Sequence, residues 1–89
     1  MNTYPFKLGD VVVCRTLSFH YIGVITAIKE SSVTTFITLA DAYIIMDSGD
    51  WFNFLRTGKV EAGGALNQST SINIAHCVEI VAWNHKIPK

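Results

Sequence analysis

Charged residues are scarce in this sequence. Asp, Glu, Lys and Arg make up 16% of the 89 residues, whereas an ordinary soluble domain carries about 25%. Seven basic and seven acidic side chains cancel to a formal net charge of zero. Because no run of Lys or Arg could follow a chain of phosphates, nucleic acid is an unfavourable partner, and a nucleic-acid-binding small barrel ranks third among the possible functions.

The sequence also lacks a membrane-spanning run and a secretory leader. No apolar stretch approaches the roughly 20 residues that a helix needs to cross a bilayer. Residues 1–7 do not show the basic and then apolar layout of a secretory signal. We therefore expect a soluble protein that remains in the cytoplasm where it is made and has no membrane partner.

Cysteine is rare, and its spacing argues against the usual cysteine-based sites. Cys14 and Cys77 are too few for the disulfide framework of a small secreted domain, so we expect two free thiols that pack as small hydrophobic groups. With His20, His76 and His85 they would suffice for a zinc site. Neither the C-x₂₋₄-C pair nor the H-x₃₋₅-H pair of structural zinc occurs, however, so no metal is expected.

Catalytic motifs are equally sparse. Ser18 and His20 are two residues apart, a spacing that need not bring their side chains together on a strand, and no acid is placed to orient the imidazole. Gly63-Gly64 lacks the preceding strand and following helix of a phosphate-binding loop. We expect no catalytic residues, no enzyme activity and no cofactor, and predict a protein that acts by binding or assembly.

Apolar residues, by contrast, are abundant and make up 49% of the chain. A domain of this length buries only about 60% of the surface that its unfolded chain exposes. One small core cannot hide so much apolar material, and large apolar patches seldom stay bare. The composition therefore predicts a homo-oligomer, in which copies of the chain cover one another.

Most of the chain shows the two-residue alternation of β-strands. We predict strands over residues 11–17, 21–30, 33–39 and 43–46, followed by a last strand or pair of strands over 71–83. Ala40-Asp41 should separate the third strand from the fourth. Ile22 and Ile28 should share one face of the second strand, and Gly23 inside it indicates a bulge or a close backbone approach. The predicted fold is mainly β and antiparallel.

One segment changes to helical spacing. Asp47, Ser48 or Asp50 can accept the free N–H groups of a helix start, and Gly58 supplies a natural stop. These signals predict one short helix over residues 50–57.

The predicted helix carries three aromatic residues, Trp51, Phe52 and Phe54. They cover more than one stripe of the helix, so they should pack on the sheet and also meet a neighbouring copy. We therefore assign these three residues to the oligomer interface.

The segments that follow the helix carry weaker signals. Residues 59–70 contain Gly63-Gly64 and a polar stretch, which together predict a flexible loop. The polar tail over 84–89 should fray. Since no linker or repeat is visible, residues 1–89 are predicted to form a single domain.

Arg15 is the most informative candidate for a site, because it lies in an otherwise apolar strand in phase with valines. It could pair with Glu79 in the last apolar strand, since buried charges are normally paired. Alternatively, Arg15 with Ser18, His20 and Tyr21 could recognise an anionic ligand or a protein partner at the end of the first two strands. The sequence leaves both interpretations open.

Two parts of the chain resemble known families. FKLGDVV over residues 6–12, followed by GVI over 23–25, resembles the opening hairpin of SH3-like small barrels. This resemblance implies a small SH3-like, partly open antiparallel barrel or a curled sheet, with one short helix.

Residues 11–83 are also similar to a family of short phage and prophage proteins with no assigned activity. The similarity rests on VCRTLS over 13–18, Gly23, TLADA over 38–42, the helix within 47–58, and IAHCVEIV over 74–81. Members usually carry basic residues and Trp or Tyr just after the last of the TLADA residues, where this chain has YIIM over 43–46.

The resemblance implies a phage accessory protein in the host cytoplasm. Its expected role is counter-defence, either by sequestering a small nucleotide signal or by blocking a host protein. The alternative is a virion or assembly component.

Overall fold

A curled antiparallel sheet forms most of the molecule in a computed structural model, which describes residues 6–47, 49–60 and 62–88. Residues 1–5, the possible cap Ser48, residue 61 of the predicted loop and residue 89 of the predicted tail lie outside the described residues. The elements are β1 (Val11–Thr16), β2 (His20–Glu30), β3 (Thr35–Asp47), α1 (Trp51–Thr57), β4 (Ala62–Ala65), β5 (Thr70–Asn73), a 3₁₀ turn (Ile74–His76) and β6 (Cys77–Ala82).

The strands are ordered β4-β3-β2-β1-β6, and β5 pairs with the first half of β3. In the described part of the chain, β4 and β6 lie at opposite ends of this order, so the sheet curls without closing. The prediction of a mainly β fold with a curled sheet and one short helix is confirmed. No helix among the described residues is long and apolar enough to cross a membrane.

Strand β2 is bent by two irregularities, one at Gly23 and one at Thr26, where its pairing with β3 shifts register. A Cβ atom at Gly23 would lie 2.7 Å from the Cβ atom of Leu39, so the predicted close approach is confirmed. Each shift interrupts the alternation of faces. Ile22 and Ile28 consequently pack in different clusters, and the prediction that they share a face is wrong.

Strand β3 is continuous where the sequence predicts two strands. Asp41 takes a left-handed conformation with φ 54°, so the local signal for a break is real. The long strand β2 nevertheless pairs with β3 on both sides of this residue, at Ala40 and at Tyr43. Pairing with β2 therefore keeps β3 continuous across Asp41.

Strand β4 lies within the segment predicted as a flexible loop, and that prediction is wrong for Ala62–Ala65. This strand pairs with the second half of β3, with Gly63 opposite Ile45 and Gly64 opposite Ile44. A Cβ atom at Gly63 would lie 2.5 Å from the carbonyl oxygen of Ile44. Glycine here permits a close approach of two strands.

The predicted last strand is a pair, β5 and β6, separated by the 3₁₀ turn. Asn73 caps this turn by accepting a hydrogen bond from the backbone N–H of Ala75 at 3.0 Å. The turn changes the phase of the side chains that follow it. Val78 lies an even number of residues after Ile72, as would place both on one face of an uninterrupted strand, yet Val78 is 57% exposed and Ile72 is buried.

Apolar side chains pack on both faces of the sheet because successive residues of β1 point to opposite sides. The inner cluster lies on the face of the sheet away from α1 and consists of Val12, Cys14, Ile25, Ile37, Leu39, Ala42 and Ile72. The helix-side cluster lies beneath α1 and consists of Val13, Ile22, Tyr43, Ile45, Phe54 and Trp83. Two small cores thus hide apolar residues that a single core could not.

Helix α1 matches the prediction closely. Asp50 is its N-cap and accepts hydrogen bonds from the backbone N–H groups of Phe52 at 3.0 Å and Asn53 at 3.3 Å. Gly58 ends the helix in a left-handed conformation with φ 74°. The predicted start and stop signals are both confirmed.

The tail, which the sequence predicts to fray, makes contacts with the helix and with the cluster beneath it over residues 84–88. The indole N–H of Trp83 donates to the carbonyl of Lys86 at 3.1 Å. His85 Nε2 lies 2.8 Å from the carbonyl oxygen of Leu55, and Ile87 packs against the helix-side cluster. These long-range contacts hold a segment whose composition is typical of a free tail.

Candidate functional site

The four predicted site residues lie on one hairpin but divide between its two sides. Arg15 and His20 are opposite each other in the β1–β2 ladder, and both contact the ring of Trp51 on the helix side. Tyr21 packs against the inner cluster on the other face. Tyr21 and Ser18 line a cleft on that side. The sheet therefore separates the predicted set into two sites.

Arg15 forms the predicted pair with Glu79. Its Nη1 atom lies 3.0 Å from Glu79 Oε1, and the side chains are 38% and 41% exposed. The guanidinium carbon also lies 4.5 Å from the centroid of the Trp51 ring. The pair is half-exposed, whereas the sequence suggested a buried pair. Both Glu79 and the ring of Trp51 contact the guanidinium group of Arg15.

His20 stacks edge-on against Trp51, with ring centroids 5.0 Å apart. Its Nδ1 atom is buried and has no hydrogen-bond partner among the described residues. Partial burial lowers the pKa of His20 below its usual value, and the charge of Arg15 lowers it further. Both effects favour the neutral imidazole, which packs against the indole.

An open cleft of about 620 Å³ lies at the end of the sheet, between the β1–β2 turn and the segment from β5 to β6. We call it the hairpin cleft. Its lining combines hydroxyl, amide, imidazole and thiol groups with apolar side chains: Thr16, Leu17, Ser18, Tyr21, Thr70, Ser71, Ile72, Asn73, Ala75, His76, Cys77 and Val78. Its volume lies within the range of about 300 to 1,000 Å³ that is usual for small-molecule sites.

Some polar groups of the hairpin cleft are already engaged within the chain. The hydroxyl of Thr16 donates to the carbonyl of Phe19. Ser71 shares a hydrogen bond of 3.1 Å with Thr38, and the carbonyl oxygen of the Asn73 side chain accepts from two neighbours. These bonds fix the walls of the cleft.

Other polar groups of the hairpin cleft remain free. The side chains of Ser18, Tyr21, Thr70 and His76 line the cleft and make no hydrogen bond to any other described residue. They offer three hydroxyl groups and one imidazole to a ligand. The sequence drew attention to Ser18 and Tyr21 as site residues but missed Thr70, which begins β5, and His76, which ends the 3₁₀ turn.

The three aromatic residues assigned to an oligomer interface differ in accessibility. Phe54 is fully buried in the helix-side cluster, so its side chain cannot reach another copy, and its assignment to an interface is wrong. Trp51 is half-buried beneath Arg15 and His20. Phe52 is 80% exposed and is the member of the three that a partner could cover.

The potential metal ligands are dispersed over the fold. Cys14 lies in the inner cluster and Cys77 packs against that cluster, whereas His20 contacts Trp51 and His85 contacts Trp83 on the helix side. Within the described ranges, no group of three or more His, Cys, Asp or Glu side chains gathers where it could hold a metal ion.

Comparison of the chain with protein-family models, with curated proteins and with solved structures found no match.

Proposed function

We propose that this protein binds a small polar ligand in the hairpin cleft and holds it without chemical conversion. The observation that carries the proposal is the convergence of four free polar side chains, those of Ser18, Tyr21, Thr70 and His76, on one cleft of about 620 Å³. A site with a few convergent polar groups above an apolar floor is typical of small-molecule recognition.

Two features favour binding over catalysis. His20, the imidazole nearest to Ser18 in sequence, contacts Trp51 on the opposite face of the sheet and so does not serve the cleft. His76 lines the cleft, but none of the described lining residues is an acid that could orient it. A hydroxyl nucleophile needs an oriented base, and the cleft supplies none.

The lining indicates which part of a ligand the cleft recognises. No Lys or Arg occurs among the described lining residues, and Arg15 is held by Glu79 and Trp51 on the other side of the sheet. The available groups are suited to hydroxyls and to the edges of heterocyclic bases. We infer that the ligand is a nucleoside or nucleotide whose base and ribose carry the recognition.

Sequestration of such a ligand fits the resemblance to short phage proteins. A phage protein that withdraws a small nucleotide signal would act in counter-defence inside the host cell. This role requires binding of the ligand without turnover, which is the function that we propose for the hairpin cleft.

A protein partner is the second candidate. Leu17 is 93% exposed and Val78 is 57% exposed, and both lie on the rim of the hairpin cleft. An apolar segment of a host protein that covered this rim would enter the same cleft. Blocking of a host protein would then replace sequestration of a ligand.

Titration calorimetry with adenosine, guanosine, cytidine, uridine and their 5′-monophosphates tests the proposal. We expect at least one nucleoside to bind, with little gain in affinity from the phosphate. Tyr21→Phe should weaken binding about fivefold, the effect of losing one neutral hydrogen bond.

Ser32→Ala is the matched control for Ser18→Ala, since Ser32 is exposed in the β2–β3 turn, outside the cleft. Only Ser18→Ala should weaken binding. The proposal fails if no compound of the panel binds, or if both serine variants change affinity equally. Capture of a host protein by wild type, but not by Leu17→Ser, would favour the second candidate.

A further inference from the structure

Strand β6 has one side that is free to pair with a further strand. Among the described residues its ladder partner is β1 alone. The other two edge strands, β4 and β5, have four residues each, and two of those in β4 are glycine. β6 has six residues and contains neither glycine nor proline. Because glycine weakens a strand and proline cannot donate a ladder bond, β6 is the best edge for pairing.

The register of the β1–β6 ladder shows which backbone groups of β6 face away from β1. The N–H of Trp83 donates to the carbonyl of Val11 at 2.9 Å, so these two residues are a hydrogen-bonded pair. Such pairs alternate with non-hydrogen-bonded pairs in an antiparallel ladder, so the backbone groups of Val81 also face β1. Those of Ile80 and Ala82 point outward and have no backbone partner among the described residues.

The outward groups lie beside open space. Ile80, Ala82 and Asn84 line an open cavity of about 520 Å³, and Ala82 is exposed. Towards the start of β6, the ladder with β1 shifts register between Cys77 and Glu79, and an irregularity of this kind limits further pairing. The part of the edge that can pair is therefore the segment from Glu79 onward.

We propose that this edge joins two copies of the chain, with β6 of one copy antiparallel to β6 of the other and a twofold axis at Val81. Ile80 of each copy then lies opposite Ala82 of the partner subunit, and each such pair exchanges both N–H···O bonds. Val81 lies opposite the partner's Val81 in the closely spaced class of pair, where the side chains interact. One curled sheet thus continues through both copies.

The position of the axis follows from the residues on either side of Val81. An axis at Glu79 would place two carboxylates directly opposite each other, which is unfavourable. An axis at Ile80 would pair Ala82 with the partner's Val78, the residue inside the register irregularity. The axis at Val81 avoids both conflicts.

Charge and side-chain size favour a second copy as the occupant of this edge. Glu79 is the one charged residue of β6 and is already paired with Arg15, so the edge offers no free charge to a charged partner. Each copy has zero net charge, so long-range repulsion does not oppose association. The large Ile80 meets the small Ala82 on one face, and valine meets valine on the other. This inference does not depend on the ligand proposed above.

Light scattering with two matched proline variants tests the proposal. Wild type should be a dimer and Ala82→Pro a monomer, because the substitution removes an outward N–H and leaves the ladder with β1 intact. Ala65→Pro is the control. Ala65 is an exposed alanine of β4, and its neighbour Leu66 donates to Ala42 in the β3–β4 ladder, so the Ala65 N–H also points outward. This variant should remain a dimer, and circular dichroism checks that both variants are folded.

Amide hydrogen exchange of wild type, followed by NMR at a high and a low protein concentration, needs no substitution. The amides of Ile80 and Ala82 should be protected at the high concentration and exchange on dilution. The amide of Val81, bonded to β1, should be protected at both.

Three outcomes would overturn the proposal. The first is a wild type that stays monomeric at the high concentration, including one whose Ile80 and Ala82 amides gain protection only when another protein is added. The second is a dimer that leaves both amides unprotected, as association through α1 would. The third is a dimer that Ala65→Pro dissociates and Ala82→Pro does not.

Discussion

Arg15 stacks on Trp51, with its guanidinium carbon 4.5 Å from the centroid of the indole ring. This contact joins the hairpin to the first residue of α1. It also explains how a charged residue is accommodated in an apolar strand, since the guanidinium of Arg15 lies over the ring while Glu79 pairs with its charge at 3.0 Å.

Substitution of Arg15 should therefore lower the stability of the fold moderately. We expect Arg15→Ala to lower the free energy of unfolding by about 1 to 2 kcal/mol, from a half-exposed ion pair worth up to about 1 kcal/mol and a cation–π contact of similar size. Urea denaturation measures this change. Lys7→Ala, which removes the exposed pair of Lys7 with Asp10 at 3.6 Å, is the control and should change stability little. A loss of 3 to 5 kcal/mol, usual for a broken buried pair, would contradict this interpretation.

The two glycines of β4 should differ sharply in their tolerance of a methyl group. Gly63→Ala places a Cβ atom 2.5 Å from the Ile44 carbonyl oxygen, and such overpacking costs about 1 to 3 kcal/mol. Gly64→Ala is the matched control, because nothing lies within 4 Å of its Cβ position. Its stability should be unchanged or slightly higher. Equal effects in the two variants would argue against the pairing of β4 with β3.

Stability should fall on mild acidification because of His20. Its pKa is lower in the folded chain than in the unfolded chain, so the unfolded chain takes up the proton more readily. The contribution is complete above the unfolded pKa of about 6.5 and is lost as the pH falls from there towards the folded pKa. Urea denaturation at a series of pH values measures the slope, which His20→Phe should reduce. An unchanged slope in that variant would assign the pH dependence to other groups.

Substitutions of the aromatic residues of α1 should distinguish a side chain that stabilises the fold from one that could contribute to self-association. Phe54→Ala removes a fully buried ring and should cost about 3 to 5 kcal/mol. Phe52→Ala changes an 80% exposed side chain and should alter stability by less than about 0.5 kcal/mol. If copies of the chain associate through this helix, light scattering should show a lower mass for Phe52→Ala than for wild type. A monomeric wild-type protein would contradict self-association through α1.

Elements with local signals could be predicted from the sequence. The capping carboxylate of Asp50 and the left-handed stop at Gly58 lie within one or two residues of the helix that they bound, so the helix follows from its own sequence. The close approach at Gly23 was likewise predictable, because glycine interrupts a run of strand-forming residues. The Arg15–Glu79 pair was one of the two interpretations that the sequence left open for Arg15.

Elements that depend on distant partners could not be predicted in this way. A glycine such as Gly63 is compatible both with a flexible turn and with a tightly packed strand. The close approach to Ile44, which distinguishes the two, is not visible in the local sequence. The tail is held by contacts such as that of His85 with Leu55, which its composition does not reveal. The hairpin cleft needs Thr70 and His76 beside the β1–β2 turn. The pairing of β5 with β3 places Thr70, and the 3₁₀ turn places His76.

The position of β1 has a consequence for synthesis of the chain. β1 lies between β2, its successor in sequence, and β6, the last strand. As the polypeptide leaves the ribosome, β1 and β2 can form a hairpin early, but the other edge of β1 stays unpaired until β6 emerges. A bare edge of this kind attracts strands of other nascent chains. Slow translation of the C-terminal segment should therefore favour aggregation over folding.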